Sequence, residues 1–392
     1  MKKRILICQN KMVIGGIEKA LINLLKRIDP NQFEVDLLVD SKGGELFKFI
    51  PSYVNVLDKE SIGLNCSTKV VLQNELRKLK IFSASKTFYY WLKNDLRRYD
   101  SVFSGLPTLK YDVAICYSMQ SLVLMKLINN YVDAPIKIGV LHGVPVVQGA
   151  SLGTINMAER IKYMSEYTHI FGVSKAVTDR FIELFPQYED RCHTVYNFID
   201  VEGIIKKANE DIVREMSADS IKILSVGRLS EEKNFKIIPS VCKELDKKKI
   251  DFTWYIIGDG QERNDIQKHI DEEGLNDRLI LLGAKDNPYP YFKVCDIYCQ
   301  TSIFEAYCIA LCEARIFGKL IVTTDFYGAK EQLMNGNGGL IVDNNSHDIA
   351  NGIIKVIEMS NAGKQKMLEI STFPNEFEQT SSKYFFSLIG QQ

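Results

Sequence analysis

Short apolar runs alternate along this chain with segments whose apolar residues recur every three or four positions. Residues 4–8, 33–39, 54–57, 113–117, 136–141 and 169–173 read as strands. Between the first two, residues 17–28 carry Ala20, Leu21, Leu24, Leu25 and Ile28 on one face, the spacing of an amphipathic helix. Further helices are expected near 122–128 and from Ser174 to Phe185. Apolar runs separated by helices predict parallel strands buried on both faces, a doubly wound α/β sheet. A polar, charged passage after Asp200 reaches Ser220 and is the expected linker. The alternation then restarts, with strands at 221–226, 253–257, 279–282, 296–299, 320–323 and 339–342. Helices are expected at 289–294 and from about Ser346 and Gly363, and Phe373-Pro374 breaks the chain before a last amphipathic segment, 377–388.

At 392 residues the chain is too long for one ordinary core, so two domains are expected: 1–200 and 201–375, with a C-terminal helix in 376–392 packing back on the first. Apolar content of 46% and charged content of 25% describe a globular chain. Its 49 basic and 49 acidic side chains cancel, which argues against nucleic acid as a partner. No run reaches the length of a membrane span, and the start leaves the apolar pattern at Gln9, so it reads as a first strand and not a signal. The nine cysteines sit mostly in apolar runs with no secreted framework, which favours a reducing cytosol. Cys295, Cys299, Cys308 and Cys312 have a spacing that admits zinc but fits small buried hydrophobes better. Residues 75–98 differ from their surroundings: Arg77, Lys78, Lys80, Lys86, Lys93, Arg97 and Arg98 interleave with Phe82, Phe88, Tyr89, Tyr90 and Trp91. Such a segment docks on an anionic membrane surface, or is a solvated helix whose rings pack on the sheet.

The candidate chemistry gathers where strands hand over to helices. Residues 296–299 lead through a polar turn into an apolar helix that ends at Gly318, where glycine suits a left-handed cap. This puts Glu305 at the junction and Glu313 about two turns into the helix, an unusual place for a carboxylate without a donor to receive. The carboxyl end of a parallel strand feeding a helix N-terminus binds phosphates. Arg228 and Lys233 lie together on another such loop, placed to hold a diphosphate. Gly15-Gly16 follows the first strand, and His142-Gly143 follows a later one, both on the crevice side. Gly283 ends one strand, and the turn before Glu331 follows another. Gly258-Asp259-Gly260 lacks the third glycine of a dinucleotide fingerprint because Arg263 stands there, and no Walker-type loop occurs.

Taken in order, these residues resemble glycosyltransferase family 4, retaining enzymes of the GT-B fold, with two Rossmann-like domains and a nucleotide-sugar cleft between them. The likeness rests on Gly15-Gly16-Ile17-Glu18-Lys19, Ser174-Lys175-Ala176, Val195-Tyr196-Asn197-Phe198-Ile199-Asp200, Val226-Gly227-Arg228-Leu229 with Lys233, and Glu305 paired with Glu313. The resemblance implies that Glu313 accepts from the ribose hydroxyls and that Glu305 faces the donor sugar. Backbone N–H groups near Cys308 and Ile309 would meet the phosphates and the sugar. Arg228 and Lys233 would neutralise the departing diphosphate, His142 would hydrogen-bond the donor sugar, and Gly15 and Gly16 would let the first loop approach the donor. Gly283 and Glu331 are further nucleotide-side contacts. Three positions depart from the family pattern: Ala306 and Tyr307 replace its glycine and phenylalanine, and Asn234, a residue that tolerates the left-handed region, replaces a glycine after the lysine.

The function so implied is transfer of a hexose or N-acetylhexosamine, with retention, from a nucleoside-diphosphate sugar (a UDP-sugar first, GDP-mannose second) to a saccharide acceptor. The acceptor would be polyprenyl-diphosphate-linked, the setting bacterial surface polysaccharide assembly, capsule included, and the place the cytoplasm or the inner membrane face. No metal is expected, since Arg228 and Lys233 can carry the charge. The alternatives are another GT-B enzyme, an epimerase or phosphorylase, or a non-catalytic partner subunit.

Overall fold

A computed structural model describes residues 2–13, 15–58, 108–144, 157–216 and 219–391; the basic aromatic stretch 75–98 lies outside the described residues. The chain divides into two compact units. The first comprises Met1–Val173, Thr178–Phe198 and Ser382–Gln392, and the second Ser174–Val177 and Ile199–Ser381.

In the first unit the strands are β1 (Lys3–Cys8), β2 (Phe33–Val39), β3 (Asn55–Asp58), β5 (Val113–Cys116), β7 (Ile136–Leu141), β8 (His169–Gly172) and β9 (Cys192–Thr194). They lie in the order β3-β2-β1-β5-β7-β8-β9, and every pairing is parallel. Two short strands, β4 (Leu109–Lys110) and β6 (Val132–Asp133), pair beside this sheet. The strands are continuous apolar runs because both faces are covered. Helix Gly16–Arg27 buries Ala20, Leu21, Leu24 and Leu25 on one side. The chain's last helix, Glu376–Ile389, enters this unit at Ser382. There Phe385 meets Phe198 edge-on at 5.2 Å between ring centres, and the Gln391 side chain donates to the Arg27 carbonyl at 3.0 Å.

The second unit holds β10 (Ile221–Val226), β11 (Phe252–Ile257), β12 (Leu279–Gly283), β13 (Ile297–Gln300), β14 (Leu320–Thr324) and β15 (Leu340–Val342). Their order is β12-β11-β10-β13-β14-β15, again all parallel. Consecutive residues point to opposite faces, so each strand feeds two cores. Ile223, Trp254, Cys299 and Val322 pack in one, while Leu224, Tyr255, Tyr298 and Ile321 pack in the other. The four spaced cysteines are all buried, as small apolar side chains are. Cys299 belongs to the first core and Cys295 and Cys308 to the second, so the sheet stands between them. Among the described residues no three metal-ligating side chains gather.

Two expectations change. The polar passage after Asp200 is not plain linker: it contains helix Val201–Lys207, capped by the Asp200 carboxylate, which accepts from Gly203 N–H at 3.0 Å. Its one buried side chain, Ile204, gave no periodic signal to read. The chain after Lys233 also does not pass straight into a helix. Two single 3-10 turns, Glu231–Lys233 and Phe235–Ile237, precede helix Ile238–Lys247, and Asn234 between them is left-handed at φ 53°. Asparagine is among the few residues that enter that region at little cost.

Candidate active site

Each sheet reverses its winding direction at one place, between β1 and β5 in the first unit and between β10 and β13 in the second. Open parallel sheets bind ligands outside the strand carboxyl ends at such a reversal. In the second unit the two flanking loops carry Arg228 with Lys233, and Glu305. One side-chain and one backbone hydrogen bond join these loops: Thr301 Oγ1 donates to the Lys233 carbonyl at 2.9 Å, and Ile303 N–H donates to the Glu232 carbonyl at 2.9 Å. Lys233 Nζ then closes an ion pair on Glu305 Oε1, with the two side chains only 19% and 14% exposed. Burial is the largest single influence and works against the Lys233 charge, but Glu305 and, with it, neighbours such as Glu232 together hold the ammonium above its ordinary pKa. Glu305 Oε1 also accepts from Ser302 Oγ at 3.1 Å. Ser302 in turn accepts from Gln300 Nε2 at 2.7 Å, and Gln300 Oε1 accepts from the Tyr298 hydroxyl. Tyr298, Gln300 and Ser302 are buried, so the Glu305 carboxylate sits at the open end of a fixed polar chain. Arg228 is exposed, and its guanidinium makes no hydrogen bond or ion pair among the described residues.

Glycines behind these loops set their shape. A Cβ on Gly258 would lie 1.8 Å from the Gly227 carbonyl oxygen, and one on Gly260 2.3 Å from that of Leu229. The turn after β11 therefore presses backbone to backbone against the loop that carries Arg228, and Leu229 N–H donates to the Asp259 carbonyl at 3.0 Å. Sequence reasoning weighed Gly258-Asp259-Gly260 only as a dinucleotide signature and missed this supporting role.

The helix after Glu305 runs Ile309–Ile316, so Glu313 lies about one turn in, not two. It is buried, and the Tyr289 hydroxyl bonds it; burial first, then this carboxylate, raises the Tyr289 pKa well above the ordinary value. The structure also corrects the role expected at Cys308. Its N–H is taken by Gln332 Oε1 at 3.0 Å, while Gln332 Nε2 donates to the Cys308 carbonyl at 3.0 Å. The amides that open the helix toward a ligand are those of Ile309 and Ala310, which have no acceptor within the helix. Tyr307 is buried, and its hydroxyl donates to Glu378. This is why a phenol stands where the resemblance expected phenylalanine. The Ala306 carbonyl is pressed by Gly328, where a Cβ would approach within 2.7 Å. Glu331 accepts from Lys175 N–H at 2.7 Å, and Gly283, at φ +72°, ends β12.

In the first unit, Gly15 caps helix Gly16–Arg27 in an extended conformation, and a Cβ there would meet Glu18 Oε2 at 2.3 Å. The face of Gly15 is thus filled by Glu18, held in turn by Gln9 Nε2 at 3.1 Å; Gly16 starts the helix and is exposed. Neither Gln9 nor Glu18 had been singled out as a site residue in its own right, because their pairing is visible only once β1 and the helix are placed. His142 lies just past β7, its loop held by Gln120, whose carboxamide oxygen accepts from His142 N–H at 3.0 Å and Gly143 N–H at 2.8 Å. Arg160 secures Gln120, donating to the Met119 and Gln120 carbonyls at 2.9 and 2.8 Å. The imidazole bonds the Tyr117 backbone through one nitrogen, and among the described residues Nε2 is buried without a partner. It borders a small cavity with Tyr117, Tyr196 and Asn197. Burial lowers its pKa from 6.5 to about 3, so Nε2 offers a lone pair and only accepts. A measurable consequence follows. Unfolded His142 takes up a proton near pH 6.5 while the folded ring resists until about 3, so stability present above 6.5 is lost as pH falls through this window. A His142→Asn variant should show a flatter decline of its urea midpoint across the same range; parallel declines would mean that the ring protonates freely in place.

Comparison with known proteins comes to the same architecture. Anabaena Alr3699/HepE, solved in complex with UDP, superposes with a TM-score of 0.68 over 100% of this chain and 98% of its own, at 19% identity. The fold is GT-B. Residues 207–370, all within the second unit, match the model of the family described as Glycosyl transferases group 1. A Campylobacter jejuni relative, N-acetylgalactosamine-N,N'-diacetylbacillosaminyl-diphospho-undecaprenol 4-alpha-N-acetylgalactosaminyltransferase, is 32% identical over 187 residues, 47% of this chain and 49% of the relative. An Escherichia coli relative, UDP-Gal:alpha-D-GlcNAc-diphosphoundecaprenol alpha-1,3-galactosyltransferase, is 19% identical over 88% of this chain and 86% of its own. The chain spans about half the length, or less, of the first curated relatives it matches.

Proposed function

We propose that this GT-B protein is a retaining glycosyltransferase of the family 4 type. It takes a hexose or N-acetylhexosamine from a UDP-sugar and places it on a saccharide carried by a polyprenyl diphosphate, in bacterial surface polysaccharide synthesis. The observation that carries this reading is the join of Lys233 to Glu305 across the β10/β13 reversal, with the Arg228 guanidinium left open beside it. When the bond to the leaving diphosphate breaks, negative charge grows on its oxygens. Arg228, Lys233 and the Ile309 and Ala310 amides stabilise that charge without first having to reorganise. Glu305, fixed by Lys233 and Ser302, orients the sugar hydroxyls, and Glu313 takes the ribose, the Tyr289 hydroxyl giving way to it. On the first unit, Nε2 of His142 is an acceptor for a sugar hydroxyl, and exposed Gly16 leaves the first loop open to a ligand. Gly283 borders the nucleotide side, whereas Glu331, past β14, spends both carboxylate oxygens on the Lys175 and Ala176 amides. With no carboxylate assigned to the sugar's far face, the acceptor attacks from the side the diphosphate leaves, and a leaving oxygen receives its proton.

Both relatives described above are named for saccharide acceptors on diphosphoundecaprenol, which supports the lipid-linked acceptor. No helix among the described residues is long and apolar enough to cross a membrane. An enzyme meeting such an acceptor works at the membrane's cytoplasmic surface, and the basic aromatic stretch 75–98 has the composition for that contact.

The test is nucleotide release with and without acceptor. Purified protein, a panel of UDP-sugars and GDP-mannose, and a short polyprenyl-diphosphate saccharide should yield free nucleoside diphosphate in proportion to glycosylated product. Donor conversion without acceptor would point to another GT-B enzyme such as an epimerase, and no turnover with any donor would favour a non-catalytic subunit.

A further inference from the structure

Within the second unit, the strand ends set out a nucleotide's parts in order. The loops after β13 and β10 carry Glu305 and Arg228, and beyond them come β11 and then β12, the sheet's edge. Three strand spacings, about 14 Å, separate the Glu305 end from the β12 end. If the diphosphate lies on the β10 loop and the sugar on the β13 loop, the base falls toward β12. There the strand ends in Gly283, left-handed at φ +72°, and among the described residues the space where its side chain would project is open but for one neighbour, Nη1 of Arg263 at 3.9 Å from an added Cβ. Arg263 opens helix Arg263–Glu272 directly after the Gly258–Gly260 turn. Its side chain is half-buried, makes no hydrogen bond or ion pair among the described residues, and holds Nη1 out of solvent with nothing to bond. A shielded guanidinium nitrogen without an acceptor is costly enough to call for an explanation.

We infer that Arg263 reads the nucleobase, selecting one that presents a ring carbonyl at the β12 end. This rests on the second unit being the nucleotide-sugar site. Arginine has five N–H donors and no acceptor. It can bond the C4 carbonyl of uracil but meets the C4 amino group of cytosine donor to donor. Uridine and cytidine nucleotides match in sugar, phosphate and stacking area, so the contrast isolates this contact. A site built around a polar partner rejects the analogue that leaves it unpaired more strongly than an apolar pocket rejects a change of size. The open face of Gly283 lets the base lie close to the backbone, so the guanidinium meets its edge.

Binding of UDP and of CDP to the intact protein, by calorimetry, tests this directly. The wild type should prefer UDP by about ten- to a hundredfold. Arg263→Met keeps the side-chain length without its donors, so UDP affinity should fall to that of CDP while CDP affinity stays put. Arg263→Glu replaces donors by acceptors and should turn the preference toward CDP. If the wild type binds UDP and both variants keep its preference, Arg263 does not read the base, although the nucleotide site stands. A wild type that binds neither nucleotide overturns the site itself, and this inference with it.

Discussion

Lys233→Ala should lower kcat by about 10²–10³-fold, with secondary structure by circular dichroism unchanged. Two losses combine in that one substitution. On the proposed mechanism the ammonium no longer faces the departing diphosphate, and Glu305, 14% exposed, loses the ion pair that fixes it and, among the described residues, keeps only its bond from Ser302. Charge development belongs to the transition state, so the loss falls mainly on kcat, whereas Glu313→Ala, at the ribose end, should act mainly through the nucleotide's KM. Steady-state kinetics on the two variants separate these outcomes. Wild-type kcat in Lys233→Ala would remove the lysine from the mechanism and the assignment with it.

The largest effect on stability is expected at Arg315. Its side chain is fully buried, its Nη1 pairs with Glu378 Oε1 at 2.8 Å, and its Nε donates to the Ser371 carbonyl at 2.9 Å. Glu378 also receives the Tyr307 hydroxyl and Asn375 N–H, the latter at 2.7 Å, so one carboxylate ties the loop after β13 to the start of the last helix. Removing one partner leaves the other charge buried and unpaired, a loss of about 3–5 kcal/mol. Arg315→Ala should therefore lower the denaturation midpoint of the second unit well below that of surface variants such as Lys268→Ala. A double variant, Arg315→Leu with Glu378→Leu, should regain much of the loss, because well-packed apolar groups can replace a buried pair. Equal midpoints for Arg315→Ala and wild type would mean that water reaches this pair.

Much of this was legible from the strand pattern, because parallel strands buried on both faces leave apolar runs that end where the ligand loops begin. Arg228, Lys233 and Glu305 were found as charged residues just past such runs. What failed was local. The sequence predicts a helix beginning just past Glu305, yet Gln332 takes both the N–H and the carbonyl of Cys308, and the helix starts only at Ile309. Glu313 was therefore placed a turn too deep. Gln332 and Glu378 gave no signal, for a single glutamine or glutamate 24 or 71 positions from its partner carries no periodicity. The Cys308 amide was assigned to a ligand for the same reason: the side chain that occupies it arrives from another loop.

The closeness of Gly258 and Gly260 to the Arg228 loop bears on how this protein tolerates change. Neither glycine need touch a ligand, yet any side chain at either would push the loop off its seat, since the obstacle is backbone and cannot swing aside. A library of random substitutions screened for activity would register these two positions as invariant and report them as active-site residues. Exposed Asp259 between them would drift freely, provided its backbone kept its place. Intolerance in such a map would mark where backbones meet, not where chemistry happens.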